Sequence, residues 1–321
     1  MMSKKSVFFR ALLIVNVFIM TGCTDKLTDF LGFEEINVVD EKKPSHSVSQ
    51  IIGDMETLPP DTDADFRYFQ LTDEEKVAYT EISDGLKNYD DSIELSCKIN
   101  EASLKKVYES VIYSEESQMF CTSHAYKYSY LESEDIVNFI EPCYNFTPEE
   151  CEQIQGKIDE QMQVIKKEVT SGMSDIEKIK VIHDYIIKKC EYADLTKCTE
   201  EEVVFKMEKE HFGDAYGALI GGSAICEGYS RAFKYICNSF GIGCELVSGT
   251  GDNTEHMWNM VQIDDRWYHV DVTWDDPVIN GVSDESTVVY DYFCLSDEKI
   301  LEDHIIEEGV LLYPRCENTL S

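Results

Sequence analysis

The segment from Gly221 to Asp276 constrains this chain most, because local signals alone define one helix and one hairpin within it. Gly221-Gly222 reads as a turn. From Cys226 to Phe240, the apolar residues Ala232, Phe233, Ile236, Cys237 and Phe240 recur at helical spacing. Gly241 follows as a left-handed C-terminal cap, with Ile242 placed to pack back on the last turn. Cys226 therefore stands at or near a helix N-terminus. Unpaired backbone N–H groups there carry partial positive charge and favour thiolate over thiol. His256–Ile263 and Arg266–Thr273 read as two strands joined by Asp264-Asp265. A two-residue loop sets His256 opposite Thr273 and Trp258 opposite Asp271, so His256 and Asp271 share a face as diagonal neighbours. Asp265 stands where such a turn prefers Gly, and a slip of one residue would put the pair on opposite faces.

A thiol beside a histidine that a carboxylate orients is the nucleophile–base–orienter arrangement of covalent acyl transfer. Cys226, His256 and Asp271 supply those three groups. The surrounding blocks carry a family resemblance. They are Ile182-His183-Asp184-Tyr185-Ile186, Ala215-Tyr216-Gly217-Ala218-Leu219, Cys226-Glu227-Gly228-Tyr229 and His256-Met257-Trp258-Asn259. They continue with Trp267-Tyr268-His269-Val270-Asp271-Val272-Thr273-Trp274-Asp275 and Tyr292-Phe293-Cys294-Leu295-Ser296. Over roughly residues 174–316 the chain resembles the transglutaminase-like superfamily, whose fold is similar to papain's, and most of all its bacterial extracytoplasmic branch. The departures are Ser223-Ala224-Ile225 before the cysteine, Met257 after the histidine and Asp265 in the turn. The resemblance implies an α+β fold: a papain/transglutaminase-like core, with a nucleophile helix packed on an antiparallel sheet, preceded by a small α+β region. It also implies Cys226 as nucleophile, His256 as base and Asp271 as orienter. Both hydrolysis and amine transfer lie within the family, so peptidase, amidase and transglutaminase all stay open.

The rest of the chain arranges itself around that core. Residues 1–22 read as a lipoprotein signal peptide: Lys4, Lys5 and Arg10, then an apolar run too short to span a bilayer, then Met20-Thr21-Gly22-Cys23. These small residues before a cysteine resemble a lipobox, which implies lipidation of Cys23 and a membrane-anchored place on the outer face of a bacterial cytoplasmic membrane. Residues 23–65, acidic and bearing Pro44 and Pro59-Pro60, read as a flexible tether, with a small apolar patch at Leu27, Phe30, Leu31 and Phe33. Residues 66–145 read as the small α+β region. It has a helix opened by Thr72-Asp73-Glu74-Glu75, a strand over 92–99, a helix over 100–113 and a strand with Tyr126, Tyr128 and Tyr130 on one face. A tyrosine row suits sugar or peptide binding, but half-buried sheet packing is the commoner role. Residues 146–321 form the expected catalytic domain. It opens with helices from Thr147 and Ser174, the latter with Glu177 at capping-box spacing, and a polar loop over 190–212. His183 and Asp184 lie on an amphipathic helix, where packing is the expected role.

Charge and cysteines bound the function further. With 28 basic against 63 acidic residues and a net charge of −35, the chain repels nucleic acid and anionic headgroups. Its expected partners are protein or peptide substrates and, through the anchor, a membrane. His256, His269 and Asp271 offer a zinc alternative, but no short-spaced ligand pair supports it, and neither metal nor cofactor is expected. Twelve cysteines include the local candidate pairs Cys190–Cys198 and Cys143–Cys151, and no pairing follows from spacing alone. Two other readings compete with the enzyme: an inactive binding module for cell-wall peptides, and a structural lipoprotein using the same fold as scaffold.

Overall fold

The computed structural model describes residues 8–12, 66–114, 122–131, 136–276, 278–279, 282–283, 288–307 and 311–320. The expected lipobox and the expected tether lie outside these residues. The chain divides into two compact units, the first ending at Pro148 and the second running from Glu149 to Ser321.

In the first unit, β1 (Phe8–Leu12) falls inside the stretch expected as an export signal and pairs with β3. The short α1 (Phe66–Phe69) precedes α2 (Asp73–Asn88). A reciprocal cap starts α2: Glu75 N–H donates to Thr72 Oγ1, and Thr72 N–H donates to Glu75 Oε2. β2 (Ile93–Ile99), α3 (Glu101–Ser114), β3 (Thr122–Leu131) and β4 (Ile136–Tyr144) follow. The sheet is antiparallel in the order β1-β3-β4-β2. Leu104, Val107, Val111 and Ile112 bury one face of α3, and Tyr126 and Tyr128 are buried with them. The Tyr108 and Tyr126 rings lie 4.3 Å apart between centroids. The tyrosine row is thus core packing where its side chains are described.

The second unit opens with α4 (Pro148–Glu168) and α5 (Asp175–Lys189). Their apolar stripes, including Ile154, Ile158, Ile179, Ile182 and Ile186, are buried. The Ser174 N–H donates to Glu177 at the start of α5, as the capping spacing predicts. The two-residue β5 (Glu191–Tyr192) comes next, then α6 (Glu200–Lys209). This helix stands where a polar loop was expected. Thr199 and Glu202 cap it reciprocally, and polar composition masked that signal. After β6 (Ser223–Ala224), α7 (Cys226–Ser239) packs on a five-stranded antiparallel sheet. That sheet holds β7 (Cys244–Gly251), β8 (Thr254–Ile263) and β9 (Arg266–Val270). The minor pair β10 (Val278–Ile279) and β11 (Val282–Ser283) precedes β12 (Phe293–Leu295), α8 (Asp297–Ile300) and β13 (His304–Ile306). The order across the sheet is β12-β9-β8-β7-β13.

Helix α7 is the centre of this unit. Every residue from Cys226 to Cys237 is buried, including Arg231 and Lys234. Their charges are met by Glu227 at 3.4 Å and Glu245 at 2.9 Å, which offsets the desolvation that unpaired charges would suffer. The helix ends as expected. Gly241 takes φ 73°, its N–H donates to the Asn238 carbonyl, and the Ile242 N–H reaches back to the Cys237 carbonyl. Helix and hairpin are stitched together by polar bonds: Ser230 Oγ donates to the Met257 carbonyl at 2.9 Å, and Asn259 Nδ2 to the Ser230 carbonyl at 3.0 Å.

Candidate active site

Cys226 is the first residue of α7 and is 3 % exposed. Its position is set from both sides. Gly222 turns the chain at φ 77°, and β6 pairs in parallel with β5, Tyr192 opposite Ala224. Below it, the Tyr229 hydroxyl lies 2.8 Å from the Cys190 carbonyl oxygen, which ties α7 to the end of α5. The N–H groups of the first turn of α7, Cys226 among them, have no acceptor within the helix.

The hairpin has the register read from its two-residue loop, Ile263 opposite Arg266 and Asn259 opposite Val270. Asp264 and Asp265 both adopt left-handed φ, 49° and 62°, so aspartate fills the position that glycine usually takes. One difference matters. β9 stops at Val270 rather than reaching Thr273, because Asp271 bends the chain into a turn by accepting from the Thr273 and Trp274 N–H groups at 3.0 and 3.1 Å. The bend leaves the pair together: His256 Nε2 lies 2.6 Å from Asp271 Oδ2.

The Cys226 side chain is a further hydrogen-bond partner of the same ring. Burial alone would drive the His256 imidazolium down. The Asp271 charge and hydrogen bond, and then the Cys226 side chain, override that and push it up to about 10. Asp271 is fully buried, which would raise it. Its bonds to His256 and His304 hold the carboxyl well below the usual carboxylate range.

His304 is the residue the sequence reading missed. Its Nε2 lies 3.1 Å from the same Asp271 Oδ2 and its Nδ1 2.6 Å from Asp303 Oδ1. The only hint in the sequence is an acid–histidine pair ahead of two isoleucines, and nothing local says that β13 lies beside β7. The turn after β9 holds two more acids. Asp275 bonds His183 at 3.1 Å and accepts the Tyr292 N–H at 2.9 Å. His183 is fully buried between Asp275 and Asp184, in keeping with a packing role. Asp276 Oδ2 lies 2.7 Å from the Tyr229 hydroxyl, and burial pushes its carboxyl up to about 6. One Tyr229 proton cannot serve both Cys190 and Asp276. A protonated Asp276 that donates to the Tyr229 oxygen satisfies both contacts.

His269 turns away from the site and does not join His256 and Asp271 as a metal set. The Trp258 Nε1–H, a donor only, bonds His269 Nδ1 at 3.0 Å, so Nε2 carries the proton and donates to Asp297 Oδ1 at 3.0 Å. His269, Asp297 and Cys316 have ligand atoms within 4.8 Å of one another, as do His256, Asp271 and His304. In the first group both His269 nitrogens are already committed. In the second the hydrogen bonds account for the geometry.

Neither candidate cysteine pair forms. Cys190 and Cys198 are free thiols, and Cys151 is disulfide-bonded, but not to Cys143. Spacing is a poor guide here, since Cys190 is buried at the end of α5 while Cys198 is only half-buried.

Residues 163–272 match the family model of the transglutaminase-like superfamily. The Kyphoscoliosis peptidases of Mus musculus and Homo sapiens are each 26 % identical over 145 residues, 41 % of this chain and 21 % of theirs. The chain thus spans about a fifth of the length of the curated relatives it matches. Among solved structures, a TGase matches 57 % of this chain and 50 % of its own at 13 % identity and TM-score 0.32. A putative cysteine protease from Cytophaga hutchinsonii matches 49 % of this chain and 55 % of its own at 14 % identity and TM-score 0.29.

Proposed function

With a transglutaminase-like superfamily domain over residues 163–272, we propose that this chain is a cysteine acyl-transfer enzyme acting on peptide or carboxamide bonds. The observation that carries the reading is the bond of 2.6 Å from buried His256 to buried Asp271, with the Cys226 side chain on the same ring. The Cys226 thiolate attacks the carbonyl carbon. The oxyanion forms beside the N–H groups that open α7, Cys226 first among them. His256, as imidazolium, gives its proton to the leaving amine as the C–N bond breaks, which leaves a thioester on Cys226. Asp271 holds the ring and balances its charge. Water or an amine then attacks the thioester, His256 takes the incoming proton, and the thiolate leaves. Water gives a peptidase or amidase, and a lysine amine gives a transglutaminase. Likeness to a protein named a peptidase supports the chemistry class. The same reading places the enzyme at the cell surface on a lipidated Cys23, supported by the leader and lipobox residues. No helix among the described residues is long and apolar enough to cross a membrane.

The test is the alkylation rate of Cys226 against pH, read by peptide mass spectrometry, with the free, half-buried Cys97 and Cys198 as internal controls. An ordinary thiol titrates at about pH 8.5. Cys226 is expected to react fast well below neutral pH, and His256→Ala to abolish that. A Cys226 that follows the two controls defeats the reading.

A further inference from the structure

His304 has no part in the reaction just described, yet it is bonded to the triad carboxylate. It is 1 % exposed, and carboxylates face both of its nitrogens. Beyond it, Asp303 Oδ2 accepts the Tyr292 hydroxyl proton at 2.7 Å. The ring is boxed in by aromatic neighbours, with centroids 4.3 Å from Trp274, 4.9 Å from Trp258 and 5.6 Å from Tyr292. His256 lies on the fourth side at 5.4 Å. The backbone is cut to admit it. His304 pairs with Gly251 and Ile306 with Gly249, and a Cβ on Gly249 would sit 1.9 Å from the Ile305 carbonyl oxygen. Any side chain at 249 would therefore push β13, and His304 with it, away from the site. The strand lies beyond residue 272, where the superfamily match ends.

Resting on the acyl-transfer reading, we infer that His304, backed by Asp303, is a positioning residue that holds the Asp271 carboxylate for His256. The physical argument is the allotment of lone pairs. Asp271 Oδ1 is taken by two backbone N–H groups, so that oxygen locks the turn. Oδ2 alone faces His256, and with one partner it could rotate out of the imidazole plane or admit water. A second donor at 3.1 Å restrains it. With Asp303 against its other nitrogen, the His304 ring keeps Oδ2 in line with His256 Nε2.

The experiment is the Cys226 alkylation profile of the full chain over pH 5–9, with iodoacetamide as probe, in wild type, His304→Phe, His304→Gln and Asp303→Asn. Melting curves check that each variant is folded. A hydrogen bond to a charged group corresponds to roughly ten- to hundredfold, so His304→Phe should slow Cys226 at least about tenfold at pH 6. Glutamine, whose amide nitrogen can reach the same carboxylate, should restore the rate to within about threefold. Asp303→Asn leaves the ring in place and should move the profile in the same direction by less. A folded His304→Phe with the wild-type profile overturns the inference, and so does equal impairment by Phe and Gln, which would make the ring a space-filler. If the Phe variant does not fold, an unmoved Asp303→Asn profile overturns it. A wild-type Cys226 that behaves like Cys97 removes the acyl-transfer reading and this inference together. A fast, His256-dependent Cys226 that ignores both substitutions removes this inference alone.

Discussion

Asp276 shows how a single buried carboxyl can set a pH dependence apart from the reaction. Burial lifts it to about 6, above its ordinary value, and in the neutral form its own proton goes to the Tyr229 oxygen while the Tyr229 proton goes to the Cys190 carbonyl. The sign follows from linkage. Below about pH 4 folded and unfolded chains both hold the proton, and the group has no effect. Between about pH 4 and 6 the folded chain keeps a proton that the unfolded chain has lost, so stability falls as pH rises through that window. Asparagine keeps the donor to Tyr229 without the charge. Asp276→Asn should therefore be more stable than wild type by about 1–2 kcal/mol at pH 7, with the gap closing towards pH 4. Denaturant melts at the two pH values check this, and a gap that persists at pH 4 refutes it. The same scale shows what a sequence can and cannot reveal. The place of Cys226 at a helix start and of His256 beside Asp271 was legible because a helix start and a short hairpin are local objects. His304 was not, because its contact with Asp271 depends on the pairing of β13 with β7, which no spacing rule predicts.

At the scale of elements, the hairpin turn departs from the usual chemistry. Asp265 holds φ 62° in a place that glycine occupies without steric cost. Asp265→Gly should stabilise the chain by about 0.5–1 kcal/mol and leave Cys226 alkylation unchanged. A lower melting temperature in that variant would show that the aspartate makes a contact worth more than its strain. The register of this hairpin could be read because its loop is short and both strands have clear ends. The end of β9 could not be read as surely: Val272 and Thr273 are β-formers, and the Asp271 carboxylate overrides them by capping the turn. Helix α6 was hidden for the reverse reason. Its acidic start, Glu200-Glu201-Glu202, reads as loop unless Thr199 is recognised as a cap.

For the molecule as a whole, the proposed leader and the first strand bear on each other. β1 lies within residues 1–22, so a chain processed before Cys23 loses it, and β3 becomes the edge of its sheet. Expressed in a bacterial host, the chain should incorporate labelled fatty acid, with intact mass placing Cys23 at its N-terminus, and Cys23→Ser should abolish the label. A mature chain that retains Phe8–Leu12 contradicts this route to the surface.

The enclosure of α7 on every side has a consequence for how such a protein fails. A cysteine on a peripheral helix can be exposed by local fraying. One on a helix buried from Cys226 to Cys237 cannot leave without opening the unit around it. The backbone amides of α7 should then exchange with solvent deuterium only in whole-unit excursions. Under the proposed function, heat inactivation and loss of tertiary structure then become one event, with no partly working intermediate between them.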